Sequence, residues 1–371
     1  MYTQKFTVPE YYTRFSCKCG ECRSTCCRGW GISLSMSEYF RLIGLDCSPN
    51  LRRRLDTAFH LADDRSPEHY AMVTPKWDGD CPLHGEDGYC MLQRECGEET
   101  ISAVCRYYPR APRRLTGEHF ECSTSGSCEH TLELLFADDE PLRFVETELT
   151  FDLELPEPQL TAGEAADALA LRREAMDMLA DRSLPFNERL LALGRTLWTK
   201  VGRDAAGFDG TPDRASREEA FGLCGELLRQ FERTSMTLQE YLPAIDAHYG
   251  GALPSEELCA DLHRLFPRLD IFAEKMFVNH VFYKNFPHSA GGDIADEFTA
   301  LCAVWGAAKY MACAYIREHM HSKGTPSLDD LVDVTAAVFR VIEHSRFDEC
   351  AVKFLRRRNV GAAGLAAWIA M

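Results

Sequence analysis

The stretch that decides this fold is residues 15–30, FSCKCGECRSTCCRGW, which holds five cysteines. One buried cysteine already serves as a small hydrophobic residue, so packing alone does not explain five thiols so close together. More cysteines follow up to residue 128, and the first 128 residues carry twelve of the seventeen in the chain. The sequence therefore predicts a segment near the amino terminus that several sulfur atoms hold together.

The composition indicates a soluble globular chain. Its 371 residues are 46% hydrophobic and 26% charged, which is ordinary for such proteins. No stretch approaches the roughly 18 apolar residues that a membrane-spanning helix needs, and the amino terminus, MYTQKFTVPEYYTRF, lacks the apolar core of a secretion signal. We therefore expect a cytoplasmic protein without a membrane partner. Thiols stay reduced in the cytosol, so crowded cysteines there point to a metal rather than to disulfides.

The net charge of −16, from 41 basic and 57 acidic residues, argues against a nucleic acid as the main partner. An acidic surface would suit a lysine-rich protein substrate, because it would steer that substrate towards the protein. Many soluble proteins are acidic without such a role, so the charge alone does not identify a partner.

Hydrophobic periodicity, prolines and the uneven cysteine distribution predict two domains. The first, residues 1–136, is a small Cys-rich metal-cluster domain with short strands. Residues 137–160 are acidic and carry three prolines, which predicts a linker. Residues 161–371 show a helical period almost throughout, so the predicted fold class is mainly α, with an all-helical second domain. Capping-box spacing supports helix starts at three places, namely Thr161 with Glu164, Thr237 with Glu240, and Ser327 with Asp330.

Metal binding is the first chemistry that the clustered cysteines predict. Zinc takes four tetrahedral ligands, often from two CxxC pairs, and this chain has one CxxC, Cys19 to Cys22, without a second. Iron–sulfur clusters accept looser spacing and thiolates from distant segments, which fits the irregular pattern better. Zinc, and thiols without any metal, remain alternatives. The candidate metal ligands are Cys17, Cys22, Cys26, Cys27, Cys81, Cys90, Cys105 and Cys128.

Several sharper motifs are absent from the sequence. It has no GxGxxG, no GxxxxGK(S/T), no HExxH and no CxxxCxxC, so no dinucleotide fold, P-loop, zinc protease or common radical S-adenosylmethionine loop is indicated. The five cysteines beyond residue 128 are interpreted as core hydrophobic residues. Histidines of the helical half, including His280, are interpreted as structural. His344 stands out among them because it lies between Glu343 and Arg346.

Four stretches of the sequence resemble flagellin lysine N-methylases. They are FSCKCGECRSTCCRGWGI, CPLHGEDGYCMLQRECGEETISAVCRYYPR, the Ser-Cys of TSGSCEHTLELLF, and RVIEHSR, and the match runs from about Tyr11 to Phe354. The Cys motifs are specific, whereas the helical half matches loosely, through FVNHVFYKNFP and RVIEHSR. Carried over residue by residue, the family's recurrent cysteines fall on the eight candidate ligands. The family usually has proline after the last of them, where this chain has Glu129.

The resemblance implies S-adenosylmethionine-dependent methylation of lysine amines on flagellin, with an iron–sulfur cluster, expected as 4Fe–4S, in the protein. Methyl transfer needs a neutral amine in line with the sulfonium methyl, so the site should offer tyrosines, a carboxylate and little water. The catalytic candidates are Tyr107, Tyr108, Glu343 and His344. The candidate for binding the methyl donor is Arg110. Taken singly, each of these residues fits a domain interface better.

Two other classes of function remain open. The chain fits a metal-cluster redox or electron-transfer protein, in which the cluster itself is the functional centre. It also fits a non-catalytic flagellin-binding protein, in which the metal only fastens a domain that has a small core. Binding of S-adenosylmethionine separates the enzyme from both.

Overall fold

In the computed structural model, the Cys-rich segment and the helices fold as two separate units. The structure describes residues 2–29, 31–158, 160–249, 262–290, 292–322 and 324–371. The Cys-rich unit comprises Ser16–Ala111 and Thr234–Met236. The helical unit comprises Met1–Phe15, Pro112–Arg233 and Thr237–Met371. The first strand, β1 (Tyr2–Pro9), therefore belongs to the helical unit.

Short elements joined by turns make up the Cys-rich unit. They are β2 (Ser33–Leu34), α1 (Met36–Ile43), α2 (Pro49–Leu55), β3 (Phe59–Leu61), β4 (Ala71–Val73), α3 (Met91–Cys96) and α4 (Ala103–Tyr107). The strands form a sheet in the order β2-β4-β3. Helix α1 begins where the sequence indicates, because Ser35 and Glu38 form a reciprocal capping box. The chain thus changes direction often within this unit.

The apolar core of the Cys-rich unit is small. Leu42, Leu51 and Leu55 are at most 1% exposed and lie at its centre. Thiols complete this core, since Cys81 and Cys90 pack against the leucines. A core of this size leaves little net stability after the entropy of ordering the chain is subtracted. Additional connections through the thiols would therefore matter for this unit.

A four-stranded sheet anchors the helical unit. Strands β5 (Arg113–Arg114), β6 (Phe120–Glu121) and β7 (Phe144–Phe151) join β1 in the order β5-β6-β1-β7. Strand β7 is antiparallel to β1 over eight residue pairs, from Tyr2 with Phe151 to Pro9 with Phe144. The sequence places this segment in a linker, but its alternating side chains give β1 a partner, and Phe151 is buried against Phe6. The domain boundaries stay a prediction.

Helices account for most of the helical unit. They are α5 (Glu129–Phe136), α6 (Ala162–Leu179), α7 (Phe186–Lys200), α8 (Arg214–Arg229), α9 (Met236–Tyr249), α10 (Leu269–Tyr283), α11 (Ile294–Ser322), α12 (Leu328–Glu343), α13 (Phe347–Arg357) and α14 (Ala362–Ala370). The predicted capping boxes at Thr161 and Ser327 are confirmed. The side chain of Thr237 lies outside the described residues. Helix α11 packs against α7, α8, α12, α13 and α14, so it runs through the middle of the bundle.

Helix α10 is buried on all sides and still carries charged residues. Every residue from Phe272 to Phe282 is buried. Glu274 accepts hydrogen bonds from Arg182 and Arg189, each at 2.8 Å, and Lys275 pairs with Asp138 at 2.7 Å. Buried charges persist only when they are paired in this way. The same helix carries Asn279 and His280 into the interior, where the polar site described below is built.

The predicted fold class is confirmed: the protein is mainly α, with short strands in its Cys-rich part and helices beyond residue 160. Among the described residues, no helix is both long enough and apolar enough to cross a membrane.

Candidate functional sites

The backbone of the Cys-rich unit draws the cysteine-bearing segments together. The amide of Cys81 donates to the carbonyl of Cys27 at 2.8 Å, so the first and second groups of cysteines lie side by side. The chain then returns in a short loop, and the residue before α3 is Cys90. Helix α4 begins at a Ser102 cap that accepts from the amide of Cys105 at 3.3 Å. Four separate segments thus deliver their thiols to one region.

Six of the predicted ligands lie close enough to shift the pKa values of their neighbours. They are Cys17, Cys26, Cys27, Cys81, Cys90 and Cys105. A hydrogen bond from Cys26 lowers the pKa of Cys27 to about 6, and the nearby His84 adds to this shift. Burial raises the pKa of Cys81 to about 12. The lowered pKa favours the thiolate of Cys27, and thiolate is the form that binds metals.

The donor set fits an iron–sulfur centre in its chemistry, because it supplies at least four thiols from separated segments. In the described part of the chain, no three His, Cys, Asp or Glu side chains form a group that could hold a metal ion. Cys22 follows the short turn Cys19–Glu21 in the Cys-rich unit, and Cys128 precedes α5 in the helical unit.

Tyr107, Tyr108 and Arg110 lie at the end of α4 in the Cys-rich unit. The guanidinium of Arg106 lies 4.7 Å from the ring centre of Tyr107 and donates to its hydroxyl at 2.6 Å. Tyr108 is the C-cap residue of α4. The amide of Arg110 donates a hydrogen bond to the carbonyl of Tyr107 at 2.6 Å. These three candidates therefore form one corner, while the other two catalytic candidates belong to the helical unit. Their catalytic and binding roles stay a prediction.

The helical unit contains a buried polar site at the carboxyl end of α12. We define the polar site as Ser125, Ser127, His280, Glu343 and His344. The side chain of Glu343 is fully buried, and its Oε1 receives a hydrogen bond from Nδ1 of His280 at 2.8 Å. Its Oε2 receives one from the hydroxyl of Ser125. The neighbouring Ser127 hydroxyl contacts both Ser125 and, at 2.8 Å, Nε2 of His344.

The direction of these hydrogen bonds follows from counting protons. A carboxylate only accepts hydrogen bonds, so the hydroxyl of Ser125 donates its single proton to Glu343. The hydroxyl of Ser127 must then donate to Ser125, and Nε2–H of His344 must donate to Ser127. The proton of the neutral His344 ring is therefore on Nε2. The result is a hydrogen-bonded relay from an exposed histidine to a buried carboxylate.

Charge and burial fix the protonation states of the polar site. Burial raises the pKa of Glu343, but hydrogen bonds from His280 and Ser125 and the charge of His280 outweigh it, so the pKa falls below the usual value. The protein packed around His344 lowers its pKa to about 4; Glu343 opposes this shift, and Arg340 and Lys284 add to it. At neutral pH the site therefore holds an ionised carboxylate and a neutral imidazole on His344.

A second layer of hydrogen bonds holds the loop of the polar site in place. Asn279 accepts from the Tyr11 hydroxyl at 2.7 Å and from Ser123 at 2.9 Å, and it donates to the carbonyl of Thr124 at 3.0 Å. Gly126 is required at the next turn, because a Cβ there would lie 2.8 Å from the ring of Phe339. The loop is thus locked against α10 and α12.

Sequence analysis found only part of the polar site. Glu343 and His344 were candidates, and the structure brings both into the relay. The sequence predicts a structural role for His280, and the structure adds that its ring bonds to the Glu343 carboxylate. Ser125 and Ser127 were not singled out, since their partners lie 217 to 219 residues away. The sequence feature that could have indicated these serines is the polar run TSGS between two cysteines, because such a run is unusual in a buried segment.

Partial similarity to named proteins accompanies this geometry. The chain is 28% identical to the Lysine-N-methylase of Salmonella typhimurium over 141 residues. That stretch is 38% of this chain and 34% of the Salmonella protein. The Lysine-N-methylase of Salmonella choleraesuis is 27% identical over the same coverage. Flagellar biosynthetic protein FliU of Salmonella muenchen is 29% identical over 106 residues, 28% of this chain and 62% of FliU.

The chain thus spans about a third of the length of the two lysine-N-methylases that it matches. No family model matches the chain, and no solved structure matches it. These similarities agree with the resemblance seen in the sequence, since part of the chain is similar to proteins named for lysine methylation and for flagellar biosynthesis.

Proposed function

We propose that the protein transfers methyl groups from S-adenosylmethionine to lysine side chains of flagellin, and that its Cys-rich unit holds an iron–sulfur cluster. The names of its partial relatives support lysine methylation and a flagellar substrate. The observation that carries the proposal is the relay between His344 and the ionised, fully buried Glu343.

The polar site suits a lysine amine as acceptor. In the reaction, the amine lone pair forms the new C–N bond while the S–C bond of the sulfonium breaks and its electron pair stays on sulfur. The amine must be neutral to attack, and the methylated ammonium that forms must then lose one proton to water to become a neutral amine. His344, at the outer end of the relay, orients the amine. The relay through Ser127 and Ser125 places negative charge behind that imidazole, which stabilises positive charge developing on nitrogen.

The Cys-rich unit supplies thiols for the cluster from Cys17, Cys26, Cys27, Cys81, Cys90 and Cys105. A bound cluster would draw these thiols together by side-chain rotation and connect segments whose shared apolar core is small. When bound, it supplies a redox-active centre and a cross-link. Zinc remains the alternative metal.

Calorimetric titration with S-adenosylmethionine tests the proposal against the two other classes of function. The full-length protein, purified without oxygen, should bind the methyl donor with a defined stoichiometry. The product S-adenosylhomocysteine should compete for the same site. Absence of binding by a metal-replete protein would contradict the proposal and favour an electron carrier or a non-catalytic flagellin-binding protein.

A further inference from the structure

His84 carries a buried ring nitrogen that is unpaired within the described part of the chain. Its Nε2 is hidden from solvent and has no hydrogen-bond partner there, and the side chain is only 13% exposed. An unpaired buried polar group destabilises the folded state, because it has lost its hydrogen bonds to water. Such atoms are rare in folded proteins, and each one calls for an explanation such as a bound ion.

The other ring nitrogen of His84 has a defined partner. Nδ1 lies 3.4 Å from Oδ2 of Asp80, and the second oxygen of Asp80 lies 3.6 Å from Nε of Arg28. An ionised carboxylate only accepts, so Nδ1 carries the proton and Nε2 presents a lone pair. A histidine held by a carboxylate through one nitrogen while the other binds a metal is a recurring arrangement in metal sites.

The chain places this lone pair among the thiols. The amide of His84 donates to the carbonyl of Cys81 at 3.0 Å, and His84 forms an isolated β-bridge with Cys90. The ring of His84 is also a close neighbour of Cys27. The backbone thus holds His84 next to two of the predicted thiol ligands, Cys81 and Cys90.

We propose that Nε2 of His84 is a nitrogen ligand of the metal centre in the Cys-rich unit and that Asp80 orients its ring. This inference rests on the proposed metal centre and extends its ligand set beyond the eight cysteines predicted from the sequence. Replacement of one thiolate by a neutral imidazole makes the site less negative. In iron–sulfur centres, imidazole ligation in place of thiolate raises the reduction potential.

X-ray absorption spectroscopy at the edge of the metal that the full-length protein carries tests this ligand. The wild-type spectrum should need a nitrogen scatterer at roughly 2.0–2.1 Å in addition to sulfur at roughly 2.3 Å. His84→Ala should lose the nitrogen and bind the metal at least tenfold more weakly. His84→Cys should keep the metal with a sulfur-only shell, and an iron centre should then have a more negative reduction potential.

The matched control is His69→Ala, because His69 is an exposed histidine of the same unit, with 41% of its side chain accessible. This variant should keep the wild-type spectrum. A nitrogen scatterer that persists in His84→Ala, or a wild-type shell of sulfur alone, would overturn the inference. Either result would leave methylation by the wild type intact. A wild type with the nitrogen ligand that never methylates flagellin would instead refute the proposed function alone.

Discussion

At the residue scale, buried carboxylates with several donors recur in the helical unit. Glu343, Glu274 and Glu121 each have a side chain that is at most 2% exposed, and each is held by cationic or hydroxyl donors. They differ in the residues that donate hydrogen bonds to them. Glu274 and Glu121 pair with arginines that stay charged at all accessible pH values, which fits a structural role. Glu343 contacts histidines and serines, which can move protons.

Glu121 gives a test of this distinction through stability. It is held by Arg113 at 2.6 Å, by Arg172 and by His119 at 3.1 Å. Burial raises its pKa, but the His119 hydrogen bond and the arginine charges lower it to about 2. The unfolded value is about 4.3. A depressed folded pKa means that the stabilisation, about 3 kcal/mol, is present above about pH 4.3 and is lost as the pH falls towards 2.

We therefore expect Glu121→Gln to lower the free energy of unfolding by about 3–5 kcal/mol near pH 7, because it leaves two buried arginines without their anion. The difference from wild type should shrink between about pH 4.3 and pH 2. Urea denaturation at a series of pH values measures it. Glu146→Gln is the control, since Glu146 is 61% exposed and pairs with an exposed lysine, Lys5. A pH-independent difference would contradict this account.

At the element scale, local signals predicted helices better than strands. The capping boxes at Thr161 and Ser327 gave correct helix starts because the interacting residues are three apart. Acidic composition and prolines predict a linker over residues 137–160, and they mask the two-residue alternation of strand β7 within that segment. Its partner β1 is more than 130 residues away, and no local pattern reports that pairing. The loop that carries Ser125 was not predicted either, because the partners of its serines are also distant in the sequence.

The contact between α11 and α14 gives a prediction about helix packing. Gly306 of α11 lies directly under Nε1 of Trp368, so an added Cβ would overlap the indole. Gly306→Ala should destabilise the protein by about 1–3 kcal/mol through overpacking. Gly222 of α8 has no atom within 4 Å of an added Cβ, so Gly222→Ala should stabilise it by about 0.5–1 kcal/mol. Thermal unfolding distinguishes the pair, and equal effects would contradict the packing.

At the scale of the whole molecule, the helical unit depends on residues from both ends of the sequence. Strand β1 supplies β7 with its partner, and Leu132 and Leu135 of α5 are at most 1% exposed in the common core. A fragment of residues 137–371 lacks both elements. We expect it to expose apolar surface and to melt without a cooperative transition in calorimetry. A cooperative melt together with binding of S-adenosylmethionine by this fragment would contradict that expectation.

The central claim is that the polar site methylates lysines, and mass spectrometry of flagellin tests it most directly. Wild-type protein with the methyl donor should add methyl increments to flagellin lysines. Glu343→Gln should slow this about 100-fold while metal content is unchanged, because the relay then ends on a neutral amide. Glu349→Gln, which removes ion pairs with Arg346 and Lys353 outside the polar site, should keep the wild-type rate. Flagellin left unmodified by the wild-type protein, or modified equally fast by Glu343→Gln, would contradict the claim.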